Sequence, residues 1–201
     1  MHRSSALVVL VLLGASAVCL ALAPLALPDS YDVVRHALTR AGAQGVPGAW
    51  VARTGYALLG VAVLLEAARA GDAWGPVGRG GHAVFGTAMV ALAVFSASPW
   101  YGGAGDRVEA GLHTWAATTA VLAFFVGVLG VRIRRGTRPG RIAVLDVVAL
   151  AGVPVLALAA ETMPGGAGVT ERLLFAIGFA WYATEAVRLA RPDGPGRVRE
   201  L

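Results

Sequence analysis

Apolar residues along this chain fall into six long runs, separated by short segments carrying charge, glycine and proline. The runs cover roughly residues 5–27, 50–68, 82–97, 113–131, 142–160 and 173–189. A helix needs about 20 mostly apolar residues to cross the hydrocarbon core of a bilayer. The pattern therefore predicts six transmembrane helices, the run from 83 to 97 being the shortest and needing a turn from one of its flanks. The expected fold is an all-α membrane protein: a six-helix bundle over residues 1–191, then a short basic tail over 192–201.

The polar segments carry their own patterns. The first, "PDSYDVVRHALTRAGAQGVPG" (28–48), sets Asp32, Arg35 and His36 at helical spacing, with Val33, Val34, Ala37 and Leu38 on an apolar side. With Asp29 or Ser30 as a cap, it predicts a short amphipathic helix lying on the bundle surface. The second contains "GDRVEAGLHTW" (105–115), where Asp106, Glu109 and His113 stand at i, i+3 and i+7 on one helical face. The third, "ETMPGGAGVTER" (161–172), brings Glu161, Glu171 and Arg172 to the same side.

Composition agrees with the hydropathy pattern. Only 14% of residues are charged, against about 25% in an ordinary soluble domain, and the mean hydropathy is +0.68. The 17 basic residues are all arginine, and 12 of them fall on one side of the predicted topology: Arg3, Arg69, Arg79, the five in "RIRRGTRPGR" (132–141), Arg188, Arg191, Arg197 and Arg199. By the positive-inside rule that side is cytoplasmic, with both termini on it. The net charge of +5 thus reads as an orientation signal that also attracts anionic lipid heads, and not as a nucleic-acid footprint. The first run is longer than a signal-peptide core and lacks a good cleavage site, so it reads as an uncleaved helix. The single Cys19 excludes an intrachain disulfide. Lysine and asparagine are absent. Their loss matches a high-GC bacterial source, with the protein multi-pass in the plasma membrane.

Three stretches carry a resemblance: "SYDVVRHALTRAGAQGVPGAWVARTGYALLGV" (30–61), "GLHTWAA" (111–117) and "TERLLFAIGFAW" (170–181). In their order and placement the chain resembles the DUF998 multi-pass membrane proteins over nearly its whole length. The matching positions are Tyr31, Arg35, Gly42, Gly60, His113 and Arg172. Arg40 stands where that family usually has an acid, "SASPW" (96–100) departs from its pattern, and Glu171 replaces a common glutamine. The resemblance implies a fold and a candidate face, with no activity to carry over.

Candidate chemistry collects on the outer side. His113 is the candidate general base, while Arg35, His36, Glu109 and Arg172 are the candidate substrate-binding residues. Arginine suits an anionic lipid head or a phosphate because its planar fork binds oxyanions in a bidentate way. The blander alternative makes His113 an interfacial imidazole paired with Asp106 or Glu109. No H-E-x-x-H, Walker loop or G-x-S-x-G elbow occurs, no metal or cofactor is expected, and no nucleophile is evident. Whether any reaction is catalysed stays open. Within the membrane, Glu66, Asp146 and Glu185 are the costly residues. Glu66 is expected to pair with Arg69 and Glu185 with Arg188 at i, i+3, and Asp146, just past Arg141, is the intramembrane candidate. Helices 2 and 6 share the offsets Arg53–Glu66–Arg69 and Arg172–Glu185–Arg188. The leading reading is an outer-face site for an anionic lipid head or phosphate. The alternatives are an accessory or structural subunit, packing as a homo-oligomer or on a partner membrane protein, and then a small transporter.

Overall fold

A computed structural model describes residues 3–102, 105–136, 141–163 and 165–190. The predicted tail at 192–201 lies outside the described residues, as do Arg138 and the side chains of Arg3, Arg141 and Glu161. Six long helices account for most of the described residues: α1 (Arg3–Ala26), α2 (Trp50–Ala70), α3 (Gly75–Val94), α4 (Arg107–Arg135), α5 (Arg141–Thr162) and α6 (Ala167–Ala190). No strand occurs among the described residues. Five of these helices are long and apolar enough to cross a membrane, and the sixth, α5, holds a shorter apolar stretch, Val144–Ala160. Large apolar side chains stay exposed on every one, from Leu7 and Leu25 to Leu158 and Leu173. A water-soluble protein of this size would not leave so much apolar surface open.

The helices form a closed ring in chain order, with α6 packing back on α1. Glycine sets the closest approaches. A Cβ on Gly81 of α3 would sit 2.6 Å from both the Cα and the N of Gly127 on α4, and one on Gly130 would sit 2.6 Å from Gly78 N. Gly60 of α2 and Gly86 of α3 meet in the same way, a Gly60 Cβ lying 2.6 Å from the Gly86 carbonyl oxygen. Lipid offers no hydrophobic drive between helices, so this close backbone contact is what dispersion needs to hold them together.

Helix boundaries differ from the hydropathy runs at two places. α3 begins at Gly75, with Pro76 in its first turn, so His82 lies two turns inside the helix instead of at its end. α4 begins at Arg107 because the Asp106 side chain accepts from the N–H groups of Val108 and Glu109.

The amphipathic helix expected near Asp32 does not form. Residues 33–35 make a turn in which Asp32 Oδ1 accepts from the N–H of Val34 (2.8 Å) and of Arg35 (3.1 Å). A buried 3-10 turn, Leu38–Gly42, follows. The reason lies in the carbonyls. Those of Val33, Val34 and His36 are taken by α6, through Arg172 Nη1 and the Gly168 N–H, and are not free for N–H groups four residues on. Gly168 permits this because a Cβ there would collide with all three carbonyl oxygens. The segment from 27 to 49 therefore caps one end of the ring, and the opposite end is rich in arginine.

Candidate functional site

The predicted outer-face residues separate into two clusters at the capped end. In the first, Arg172 Nη1 donates to the carbonyls of Val33 (2.7 Å), Gly168 (2.9 Å) and His36 (3.3 Å). Its Nη2 donates to Tyr31 Oη at 3.0 Å. Beside it, Glu171 accepts from the N–H (2.7 Å) and hydroxyl (2.9 Å) of Thr39. Arg53 donates to the carbonyls of Gly42 and Ala43, and the Tyr56 hydroxyl to that of Leu38. The offset shared by Arg53 and Arg172 therefore has a common use, since each holds carbonyls of the same capping segment.

The second cluster joins the start of α4 to the end of α3. Glu109 Oε1 accepts from the Ser96 N–H at 2.7 Å, and His113 Nδ1 lies 3.0 Å from the Phe95 carbonyl. A carbonyl can only accept, so Nδ1 carries a hydrogen. Gln44 bridges to this seam, accepting from the Asp106 N–H and donating to the carbonyls of Ser96 and Asp106. His113 is buried, yet its bond goes to Phe95, and neither Asp106 nor Glu109 is its partner. The stripe Asp106–Glu109–His113 exists as expected. Asp106 caps α4, while Glu109 and His113 take the Ser96 N–H and the Phe95 carbonyl just past the end of α3. The stripe does not converge on Arg172.

Arg35 is exposed and pairs with Asp32 at 3.7 Å. His36 accepts the Asp32 N–H on Nδ1 at 2.9 Å and packs on Tyr31 and Trp100. The N–H groups of Val34 and Arg35 hold the Asp32 carboxyl below its usual pKa. Burial pushes Tyr31 up against the opposing pull of Arg172. Loss of solvent lowers His36, against the Asp32 charge, with Arg40 and Arg35 adding to the lowering.

This arrangement predicts an acid-sensitive turn. His36 must keep its Nδ1 lone pair to accept the Asp32 N–H, so the folded turn binds a proton less readily than the unfolded chain. Stability from this bond is full above about pH 6.5 and is lost as pH falls through that value toward the lowered folded-state pKa. The protection factors of the amides of residues 32–36, taken relative to each amide's intrinsic exchange rate at the same pH, should fall severalfold between about pH 7.5 and about pH 5.5. Unchanged protection factors would contradict the assignment.

Below the first cluster, a groove of about 610 Å³ runs between α1 and α6. Its walls are apolar: Leu20, Ala21 and Pro24 on one side, Leu173, Ala176 and Phe179 on the other, with Val33, Val34 and Arg172 at the capped end. Inside the ring, a separate chamber of about 90 Å³ lies among Phe85, Met89, Phe124 and Phe175, between Glu171 at one end and Tyr182 at the other.

The arginine-rich end holds a buried network that periodicity alone did not reveal. Arg135 Nη1 donates to both oxygens of Asp146 (3.0 and 2.9 Å), and its Nη2 meets Glu185. Arg188 donates to the same Glu185 oxygen from Nε and Nη2. Two indoles complete it, Trp181 donating to Asp146 and Trp74 to Glu185, each at 2.9 Å. His82 stacks on Trp181 at 4.6 Å, with Nδ1 2.8 Å from Tyr182 Oη. Its ring lies against the backbone of Gly127, where a Cβ would come within 2.7 Å.

Of the three intramembrane expectations, the Glu185–Arg188 pair forms. Asp146 is satisfied from α4 by Arg135 and from α6 by Trp181. The Glu66–Arg69 pair does not form, because exposed Arg69 turns to the Leu65 carbonyl at 3.2 Å. Two buried tryptophans with N–H groups to satisfy were the sequence signal for this cluster.

No curated protein and no solved structure matches the chain. One family model does match, over residues 8–188, nearly the full length and all six helices. The chain therefore belongs to the family described as Protein of unknown function (DUF998).

Proposed function

We propose that the protein spans a bacterial plasma membrane six times, with its arginine-rich end on the cytoplasmic face, and binds an anionic lipid in the α1–α6 groove. The 22 residues of α5 make a rod of about 33 Å, enough to cross the hydrocarbon core despite its short apolar stretch. The arginine asymmetry sets the orientation, and the capped end then faces outward.

The observation that carries the lipid reading is Arg172 at the head of an apolar groove. Of the five N–H donors of an arginine, both on Nη1 and one on Nη2 are spent on the cap. Its Nε–H and the second Nη2 hydrogen have no partner among the described residues. A guanidinium fixed in place with donors left over suits a phosphate oxygen, and the walls below it suit an acyl chain. Arg35, exposed on the turn beside groove-lining Val33 and Val34, adds a second cation at the same level. His113 and Glu109 stand outside this site, so the reading is one of binding without a general base.

Arg172→Ala is a poor test, because it would also release the cap. Ala176→Trp fills the groove and leaves every Arg172 bond intact. Native mass spectrometry should find anionic phospholipid retained by the wild type, and about tenfold less affinity in Ala176→Trp, about 1.4 kcal/mol, with unfolding temperature unchanged. Equal retention by both proteins, or retention of zwitterionic lipid alone, would refute the site.

A further inference from the structure

Among the described residues, three carboxylates are buried within the helices, and two are fully matched. Asp146 and Glu185 share Arg135, Arg188 and two indole N–H groups, so two negative charges face two positive ones. Glu66 is the third. It is fully buried on α2, and neither of its oxygens has a hydrogen-bond partner among the described residues. The nearest cation on its own helix, Arg69, is exposed and bonded elsewhere.

From α6, Glu185, Arg188 and the Tyr182 hydroxyl lie within electrostatic reach of Glu66. Arg188 is already committed to Glu185 through two donors. From α3, His82 presents an Nε2 that is also buried without a partner. Arg135 of α4 and Asp146 of α5 are engaged with one another, Asp72 in the turn after α2 is exposed, and the described side chains of α1 include no charged one. An ionised Glu66 would thus be a third negative charge with no counter-ion in a water-poor interior, an arrangement that buried carboxylates escape by taking up a positive ligand.

We propose that Glu66 is a proton-binding site, its side chain carried in the bundle as the neutral acid. A proton fits better than a metal ion, since no group of three or more His, Cys, Asp or Glu among the described residues is arranged to hold one. Removing the proton would set a bare carboxylate beside Glu185, so its presence bears on how α2 sits against α6. The site is separate from the lipid groove, and neither depends on the other.

Two measurements on the full-length protein in lipid at neutral pH test this. In the infrared difference spectrum between wild type and Glu66→Gln, the carbonyl band of a protonated acid should be lost and the carboxylate bands should not change. Glutamine keeps the shape and neutrality of the acid, so this variant should insert and melt as the wild type does. A hydrophobic carbodiimide should then modify Glu66. The acid O–H adds across one C=N bond, the proton going to nitrogen and the carboxyl oxygen to carbon, and an O-to-N acyl shift leaves a stable acylurea with nothing expelled. One adduct should map to Glu66 and none to Asp146 or Glu185. Loss of a carboxylate band instead, failure of Glu66→Gln to fold, or an adduct on Asp146 or Glu185 would each overturn the proposal.

Discussion

Replacing Arg135 with alanine is expected to destabilise the bundle by about 3–5 kcal/mol, the cost of leaving a buried charge without its partner. Arg135 is only 12% exposed and its guanidinium joins two acids on different helices, Asp146 of α5 and Glu185 of α6. Glu185 would keep Arg188 and Trp74. Asp146 would keep a single indole N–H for a full negative charge. The double variant Arg135→Leu with Asp146→Leu removes both charges together and leaves the Glu185–Arg188 pair balanced, so it should recover at least half of the lost stability. Thermal unfolding in detergent gives both numbers. A double variant no more stable than Arg135→Ala would mean that Arg135 acts through packing and not through charge.

The second large effect is expected at Gly81. A Cβ there meets the backbone of Gly127 at 2.6 Å and the Ala123 carbonyl at 3.1 Å. Backbone cannot swing aside as a side chain can, so Gly81→Val must push α3 off α4, at a cost of about 3 kcal/mol. The displacement would reach the buried network, because His82, one residue on, lies between Trp181 and Gly127. Gly80→Val is the matched control, since nothing lies within 4 Å of its Cβ position. Similar melting of the two variants would show that this helix contact is looser than the glycine geometry implies.

How far the sequence could be read depended on whether a feature was local. Six apolar runs became six helices because hydropathy and length act within a segment. The family followed from residues 30–61, 111–117 and 170–181, and the full-length match bears it out. The stripe of Asp106, Glu109 and His113 was legible from spacing alone, whereas Asp106 as the cap of α4 was not. Nor were partners. Spacing put Glu66 beside Arg69, but α2 turns Glu66 inward and leaves Arg69 at the surface, and no one-dimensional pattern says which side of a helix is inside a ring. Arg135 looked like one of five orientation arginines, and only the packing of α4 against α5 and α6 makes it a buried counter-ion. The helix expected near Asp32 failed for a related reason: α6, more than 130 residues away in sequence, takes its carbonyls. His113 and Arg172, joined in the sequence reading by sidedness, turn out to hold different seams of the same cap.

The proposed ligand is an anionic lipid in the α1–α6 groove with its head at Arg172. Photo-crosslinking tests it most directly, using an anionic phospholipid with a photoreactive group on its acyl chain, in membranes containing the full-length protein. The label should map to residues 17–24 and 169–179, be competed by unlabelled anionic lipid and not by zwitterionic lipid, and fall about tenfold in Ala176→Trp, as a loss of about 1.4 kcal/mol requires. Label spread evenly over the outer faces of all six helices, or unaffected by Ala176→Trp, would contradict lipid binding in this groove.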